Sequence, residues 1–218
     1  MNRLAATRRG ARRGRLSSFY NNRNCVHPFR ERGRRLMPAL SEARPRFVPD
    51  APLPPYTYVP GRFPHPISDP AGHLYGKPPE RPPSPDPDCW RESRAYLYGV
   101  DLFNFGYYWE AHEVWEGLWH ACGLTGPTAD FFRGLIKLAA AGVKVRQGVR
   151  AGVASHAARA AGIFRDFAHA DYFGLRIADL LAYSLAVEAM APAVVGDRED
   201  GVKIVFPFVL SPQAKETT

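Results

Sequence analysis

The sequence predicts an all-α protein: a compact bundle of about five helices with an extended Pro-rich N-terminal arm and a short C-terminal extended segment. Two observations support this fold class. From about residue 86 onward, apolar residues recur at intervals of three and four, which is the spacing of one face of an α-helix. Before that point, residues 38–87 contain 16 of the 21 prolines. Proline fixes φ and lacks an amide proton, so neither a helix nor a central strand is expected there.

The first 36 residues have a composition of their own. They contain eleven of the 29 basic residues and one acid, Glu31, so they carry a charge of +10, and the remaining 182 residues sum to −2. Three interpretations stay open. The segment is a disordered basic arm that binds nucleic acid through phosphate contacts, an Arg-rich transit peptide, or upstream sequence ahead of a true start at Met37.

Residues 37–87 are predicted to form a Pro-rich arm and linker. Apolar side chains recur within this segment: Tyr56, Tyr58, Phe63, Ile67, Leu74 and Tyr75. A disordered linker rarely carries that much aromatic surface. We therefore expect an extended arm that covers the helical domain between Pro54 and Gly76, followed by a linker from Lys77 to Asp86.

The helical bundle domain is predicted at residues 88–193. Its five helices have the approximate bounds 86–105, 107–121, 128–147, 149–167 and 175–190. Asp86 and Pro87 are expected to cap the first helix, because Asp is a good N-cap and Pro is favoured at the first helical position. Gly106, Gly123 and Gly148 are expected to end the first three helices, since glycine readily adopts a positive φ.

The C-terminal tail, residues 194–218, contains the run VKIVFPFVL. Its composition is typical of a strand. Pro207 limits it to an edge strand or to an extended segment packed on the bundle, because proline cannot donate to a sheet.

The second helix, YYWEAHEVWEGLWHAC, contains the residues most relevant to function. An aromatic stripe that includes Trp115 and Trp119 is expected to face the core. Three polar residues follow one another along the edge of this stripe at spacings of four: His112, Glu116 and His120. Glu110 falls farther round the helix, towards the expected solvent face.

Two kinds of chemistry and one structural role fit these residues. The catalytic candidates are His112, Glu113 and Glu116, since a His–carboxylate pair can act as a general acid and base. The metal candidates are His112, Glu116 and His120, or His112 with Glu113 and Asp101. The run HEVWE departs from the H-E-x-x-H zinc motif. The structural alternative is a buried polar network that holds the helices together.

A polar pocket is predicted between the first three helices, beside the catalytic candidates. It would be lined by Asp101, Asn104, Trp115, Trp119 and Lys144. No cofactor is expected, and a divalent metal is the alternative. Three further potential ligands lie in the arm: His65, Asp69 and His73. Their Pro- and Gly-rich surroundings favour turns, including a β-turn over residues 69–72.

The run DLFNFGYYWEAHEVWEGLWH, followed by FFRGLIKLAAAGVKVRQG, resembles the bacterial family known as domain of unknown function 309 over about residues 91–168. Eight residues fall in the pattern of that family: Asn104, Gly106, Glu110, Ala111, His112, Glu113, Glu116 and Trp119. The resemblance implies a compact all-helical fold. It implies no established activity, substrate or cofactor.

These observations predict a small binding or interaction module with a polar His/Glu/Asp pocket. The alternative is a hydrolase-type enzyme that uses His112 with a carboxylate, with or without a metal. The partner would be a small molecule or a protein, with nucleic acid bound only through residues 1–36. No apolar run reaches the length of a membrane span. Three scattered cysteines without a C-x-x-C pair favour a reducing, cytoplasmic setting.

Overall fold

The computed structural model describes residues 44–78, 81–197 and 200–213. The Arg-rich segment 1–36 and its three interpretations therefore lie outside the described residues, as does the beginning of the arm at 37–43. All the described residues belong to one compact unit, residues 37–218.

Five α-helices make up most of the described part of the chain: α1 (Arg94–Asn104), α2 (Tyr108–Ala121), α3 (Pro127–Gln147), α4 (Arg150–Arg165) and α5 (Ile177–Met190). A two-stranded antiparallel hairpin, β1 (Asp171–Tyr172) and β2 (Leu175–Arg176), joins α4 to α5. Short loops make each helix pack on its neighbours in sequence. The predicted mostly helical fold is confirmed. Among the described helices, none is long and apolar enough to cross a membrane.

α1 begins later than the sequence indicated. Asp86 does not cap a helix, and its carboxylate instead accepts a hydrogen bond from the amide of Asp88 at 2.8 Å, which closes a local turn. A single 3-10 turn follows at Trp90–Glu92. Ser93 is the N-cap of α1, and its hydroxyl accepts from the amide of Tyr96 at 3.4 Å. A local serine cap therefore replaces the expected Asp–Pro start.

The glycines predicted to end helices adopt the left-handed conformation. Gly106, Gly123 and Gly148 have φ values of +88°, +76° and +74°. At Gly106 a Cβ would also lie 2.7 Å from the carbonyl oxygen of Lys203. Glycine is therefore required there both by its conformation and by the close passage of the C-terminal segment.

Aromatic rings fill the core between the helices. Trp115 of α2 is fully buried, and its indole lies directly against Gly99 of α1. Phe131 of α3 stacks on Phe173 in the hairpin, with ring centroids 5.1 Å apart. Contacts of this kind add to the stabilisation that burial of the ring surfaces provides.

The C-terminal segment packs into this core as an extended chain. Phe206, Phe208 and Leu210 are buried. The rings of Phe206 and Phe208, on either side of Pro207, are nearly parallel with centroids 5.2 Å apart. Of the two forms predicted for this segment, the packed extended form is therefore the one observed among the described residues.

The Pro-rich arm lies against α1 and α2. Val48, Thr57 and Val59 are buried, and the ring of Tyr58 meets Trp109 edge-on, with centroids 5.3 Å apart. The amide of Gly72 donates to the carbonyl of Asp69 at 2.8 Å, which is the predicted β-turn. The domain limits at 87/88 and 193/194 stay predictions.

Candidate functional site

Three catalytic candidates lie together on α2, and we refer to His112, Glu113 and Glu116 as the α2 triad. The Nδ1 atom of His112 lies 3.3 Å from Glu113 Oε1 and 4.0 Å from Glu116 Oε2. One potential ligand atom from each residue lies within 4.8 Å of the others. The helix brings them together because residues three and four apart are neighbours on its surface.

The α2 triad has the chemistry of a cation site with open coordination positions. Its side chains are 26–38% exposed, so an ion can reach them. The Nδ1 atom of His112 is shielded from solvent and makes no hydrogen bond within the described structure. One imidazole and two carboxylates suit Zn²⁺ and similar first-row ions, and three protein ligands leave room for water or substrate.

His120 is not part of this group. It lies two helical turns beyond His112, which is about 12 Å at 1.5 Å per residue. Its side chain is exposed, and its ring packs beside Trp119 with centroids 5.2 Å apart. Glu113, adjacent to His112, supplies the third potential ligand instead.

Asp101 binds the arm instead of joining the α2 triad. Its carboxylate is fully buried and accepts from Arg46 Nε at 3.0 Å, from the amide of Phe47 at 2.8 Å and from the amide of Val48 at 2.9 Å. Three donors compensate the burial of this charge. Asp101 therefore fixes the arm to α1.

Asn104 holds the C-terminal segment in a similar way. Its Nδ2 donates to the carbonyl of Leu210, and its Oδ1 accepts from the amide of the same residue, both at 2.8 Å. The side-chain amide of Asn104 thus pairs with both backbone polar groups of Leu210, as the backbone of a neighbouring strand would. Both polar residues that the sequence assigned to a pocket on α1 are occupied by segments of this chain.

Glu110 is the buried polar residue that the sequence misplaced. Its carboxylate lies beneath the arm, where Thr57 Oγ1 and the amide of Tyr58 each donate at 2.8 Å. Burial raises the pKa of Glu110 to about 7, against the lowering effect of these two donors. The expected solvent face of α2 is therefore the face that the arm covers.

The other three residues predicted to line the pocket are Trp115, Trp119 and Lys144, and each is buried or packed against other side chains. Trp115 is fully buried and Trp119 is half-buried, and neither indole nitrogen has a hydrogen-bond partner in the described structure. Lys144 donates to Gln147 at 2.8 Å. The stem of Lys144 lies over Gly152, where a Cβ would be 2.9 Å from it.

Several basic side chains surround His156 on α4. Burial lowers the pKa of His156 on α4, and Lys137, Lys144 and Arg159 lower it further through their charges, as does His112.

The potential ligands of the arm form turns. His65 Nδ1 accepts from the amides of Ile67 and Ser68, each at 3.3 Å. The carboxylate of Asp69 accepts from the amide of Ala71 at 2.9 Å. His73 meets the ring of Tyr56. These partners agree with the turn interpretation of the segment.

Two of the surface cavities in the described part of the chain are large enough to hold a ligand, and neither of these two is lined by the α2 triad. A cavity of about 470 Å³ lies between α3 and α4. A larger one, of about 1030 Å³, lies between the hairpin, α5 and the C-terminal segment. The α2 triad is thus a surface group and not the floor of either cavity.

Fold and triad together define a small helical-bundle domain with a half-buried His/Glu group on its second helix. Residues 96–155 match the model of a family described as Domain of unknown function (DUF309). The match extends from α1 into α4 and includes the α2 triad, and it confirms the resemblance seen in the sequence. No curated protein matches the chain.

Proposed function

We propose that this protein is a small binding module whose α2 triad holds a first-row divalent metal ion. The observation that carries the proposal is that His112 Nδ1 lies close to two carboxylates, 3.3 Å from that of Glu113 and 4.0 Å from that of Glu116. The two carboxylates balance the charge of the ion. The imidazole favours zinc and its neighbours over Mg²⁺ and Ca²⁺, which prefer ligand sets of oxygen atoms.

A contrast with the buried carboxylates of the molecule supports a binding role over a purely structural one. Buried polar side chains such as Asp101 and Glu110 have hydrogen-bond donors from the arm. His112 Nδ1 has no hydrogen-bond partner in the described structure, although its atom is shielded from solvent. A native polar atom in this state calls for a specific explanation, and the binding of an ion is one such explanation.

Metal titration of the full chain tests the proposal. After removal of metal with a chelator, the protein should bind one Zn²⁺ ion in isothermal titration calorimetry and unfold at a higher temperature when it is loaded. His112→Gln should weaken binding at least tenfold, the range found when an orienting partner of a metal site is lost.

His120→Gln is the matched control, since His120 lies on the same helix and is exposed. Its affinity should equal that of the parent protein. No stoichiometric binding in the parent, or equal weakening in both variants, would contradict the proposal.

Hydrolysis is the second candidate function. It is favoured by the coordination positions that three protein ligands leave open, where a metal-bound water could form. His112 with a carboxylate could instead act as general base without metal. The zinc-loaded protein should then hydrolyse an activated ester such as p-nitrophenyl acetate, and His112→Gln should abolish this activity while His120→Gln keeps it. If the protein binds stoichiometric metal but does not hydrolyse the ester, hydrolysis is contradicted and the binding function stands.

The location of this module is proposed to be the cytoplasm. Cys89 and Cys122 are free thiols among the described residues, which supports a reducing compartment. Fractionation of cells that produce the full chain should find it with the cytosolic proteins, and recovery in an oxidising compartment would contradict this location.

A further inference from the structure

The cavity of about 470 Å³ is a groove between two antiparallel helices. Only Gly148 and Val149 separate α3 from α4, so the two helices run in opposite directions side by side. Eight residues line the groove: Asp130, Arg133, Lys137, Arg159, Gly162, Ile163, Asp166 and Phe167. None of them belongs to the α2 triad.

The antiparallel arrangement separates the charges of the groove along its length. The N-terminal end of α3 lies beside the C-terminal end of α4, which puts Asp130 and Asp166 at one end. Arg133 is bound at that end, because its guanidinium pairs with Asp130 at 2.8 Å. Lys137 and Arg159 lie at the other end, and neither forms an ion pair with another described residue.

Further positive charge continues from this basic end. Lys144 packs on Gly152, about two turns farther along both helices. His156 lies between this contact and Arg159 in the sequence. Lys137, Lys144 and Arg159 all act on His156, and their charges oppose its protonation. The basic end therefore carries a positive potential that no described carboxylate neutralises by direct pairing.

The middle of the groove is small and apolar. Gly162 presents no side chain, and a Cβ built there would have nothing within 4 Å. Ile163 and Phe167 are half-buried and line the same cavity. A ligand here can place an apolar body over Gly162 while an anionic group reaches Lys137 and Arg159.

We infer that this groove binds a phosphate monoester with a compact apolar body. The phosphate lies between Lys137 and Arg159, and the apolar body lies over Gly162 and Ile163. The site is separate from the α2 triad, so it goes beyond the proposed metal binding and stands whether or not a metal is bound there.

The chemistry of the basic end favours this class of ligand. Two unpaired cations match the charge of a phosphate dianion, and a guanidinium binds phosphate oxygens in a bidentate manner. A nucleic acid strand would need a longer basic stripe. Here Asp130 and Asp166 close the groove at its far end and would repel a continuing phosphate backbone.

The test uses phenyl phosphate as the probe and the full chain at physiological salt concentration. Isothermal titration calorimetry should show saturable binding of one phenyl phosphate per chain. Lys137→Gln and Arg159→Gln should each weaken the affinity at least tenfold. Arg165→Gln is the matched control, since it removes the same charge from an exposed position on α4 that does not line the groove, and its affinity should stay within twofold of the parent.

A second comparison separates the two parts of the ligand. Ile163→Ser should weaken phenyl phosphate at least threefold and leave the affinity for inorganic phosphate unchanged, and phenol alone should not bind. Residues 1–36 are present in every variant, so binding by their arginines cancels in these comparisons. No saturable binding of phenyl phosphate, or equal weakening in Lys137→Gln and Arg165→Gln, would overturn the inference.

Discussion

The side chain of Glu110 lies beneath the arm, where Thr57 and the amide of Tyr58 donate to its two carboxylate oxygens. Removal from water disfavours the ionised form, and this effect outweighs the two donors, so the pKa of Glu110 rises from 4.5 to about 7. The charge of the nearby Glu113 raises the pKa further. One side chain thus makes the contact between the arm and α2 sensitive to pH near neutrality.

We predict that the stability of the fold depends on pH through Glu110. Because the folded pKa is higher than the unfolded one, the stabilising contribution is complete below about pH 4.5 and is lost as the pH rises through about 7. Glu110→Gln removes this titration. From pH 4.5 to pH 8 the parent should lose roughly 3 kcal/mol of unfolding free energy relative to this variant, as a pKa shift of about two and a half units implies.

Urea unfolding of both proteins at several pH values measures this difference. Glu92→Gln is the control, because it removes a carboxylate from an exposed position. A parallel pH dependence in the parent and Glu110→Gln would show that the carboxylate titrates normally and that the arm leaves it solvated.

The sequence located the α2 triad and misplaced Glu110 for related reasons. The positions of His112 and Glu116 relative to each other depend only on helix geometry, so a spacing of four was enough. The surroundings of Glu110 depend on Thr57, which is 53 residues away, and a helical wheel contains no information on such a partner. The aromatic residues of the arm indicated a covering segment but not the helix face that it covers.

At the scale of single elements, glycines set the distance between helices. A Cβ at Gly142 of α3 would lie 2.6 Å from the ring of Tyr108 on α2. A Cβ at Gly162 of α4 would meet nothing within 4 Å. Both glycines are in helix interiors, where alanine is intrinsically favoured by about 1 kcal/mol. Substitution of Gly142 by alanine therefore tests the effect of packing, whereas the same substitution at Gly162 tests helix propensity alone.

We predict opposite effects for the two substitutions. Gly142→Ala should destabilise the protein by about 1–3 kcal/mol, because the buried Tyr108 ring must move. Gly162→Ala should stabilise it by about 0.5–1 kcal/mol, since only propensity acts there. Thermal unfolding of both variants beside the parent checks the signs. Stabilisation by Gly142→Ala would mean that α2 and α3 do not approach as closely as the Tyr108 contact requires.

Helix ends were predictable where a single residue determines them. Gly106, Gly123 and Gly148 adopt positive φ, and every helix after α1 begins and ends within two residues of its predicted bounds. The start of α1 was wrong because two local signals competed. Asp86–Pro87 is a plausible cap in the sequence, but Ser93 caps the helix in the structure. Composition does not decide between two acceptable caps, Asp86 and Ser93, which are seven residues apart.

At the scale of the whole molecule, two segments without regular structure complete the helical core. The arm reaches α1 through Asp101, and the C-terminal segment reaches it through Asn104. Both contacts join residues more than 50 positions apart in the sequence. Burying a polar side chain requires a partner, so two buried polar residues near the end of α1 require both segments to be in place.

Two Asp–Arg pairs connect the arm to α1, and they differ in burial. Asp101 is fully buried and pairs with Arg46, which is 21% exposed. Asp50 and Arg94 are 69% and 60% exposed, although their shortest N–O distance is 2.7 Å. An exposed ion pair contributes little, because water competes with it. A buried carboxylate that accepts three hydrogen bonds is costly to remove, because its donors are left unpaired.

We therefore predict that Asp101→Ala destabilises the whole fold by about 3–5 kcal/mol, while Asp50→Ala leaves the stability nearly unchanged. Urea unfolding measures the free energies, and limited proteolysis locates the damage. In Asp101→Ala the arm between residues 44 and 76 should become sensitive to protease under conditions in which the parent and Asp50→Ala resist it. If Asp101→Ala exposes the arm and the helices keep the parent's midpoint, the arm is a removable cover. A loss of both together shows that the arm is part of the cooperative core, which is the outcome that its three hydrogen bonds to Asp101 lead us to expect.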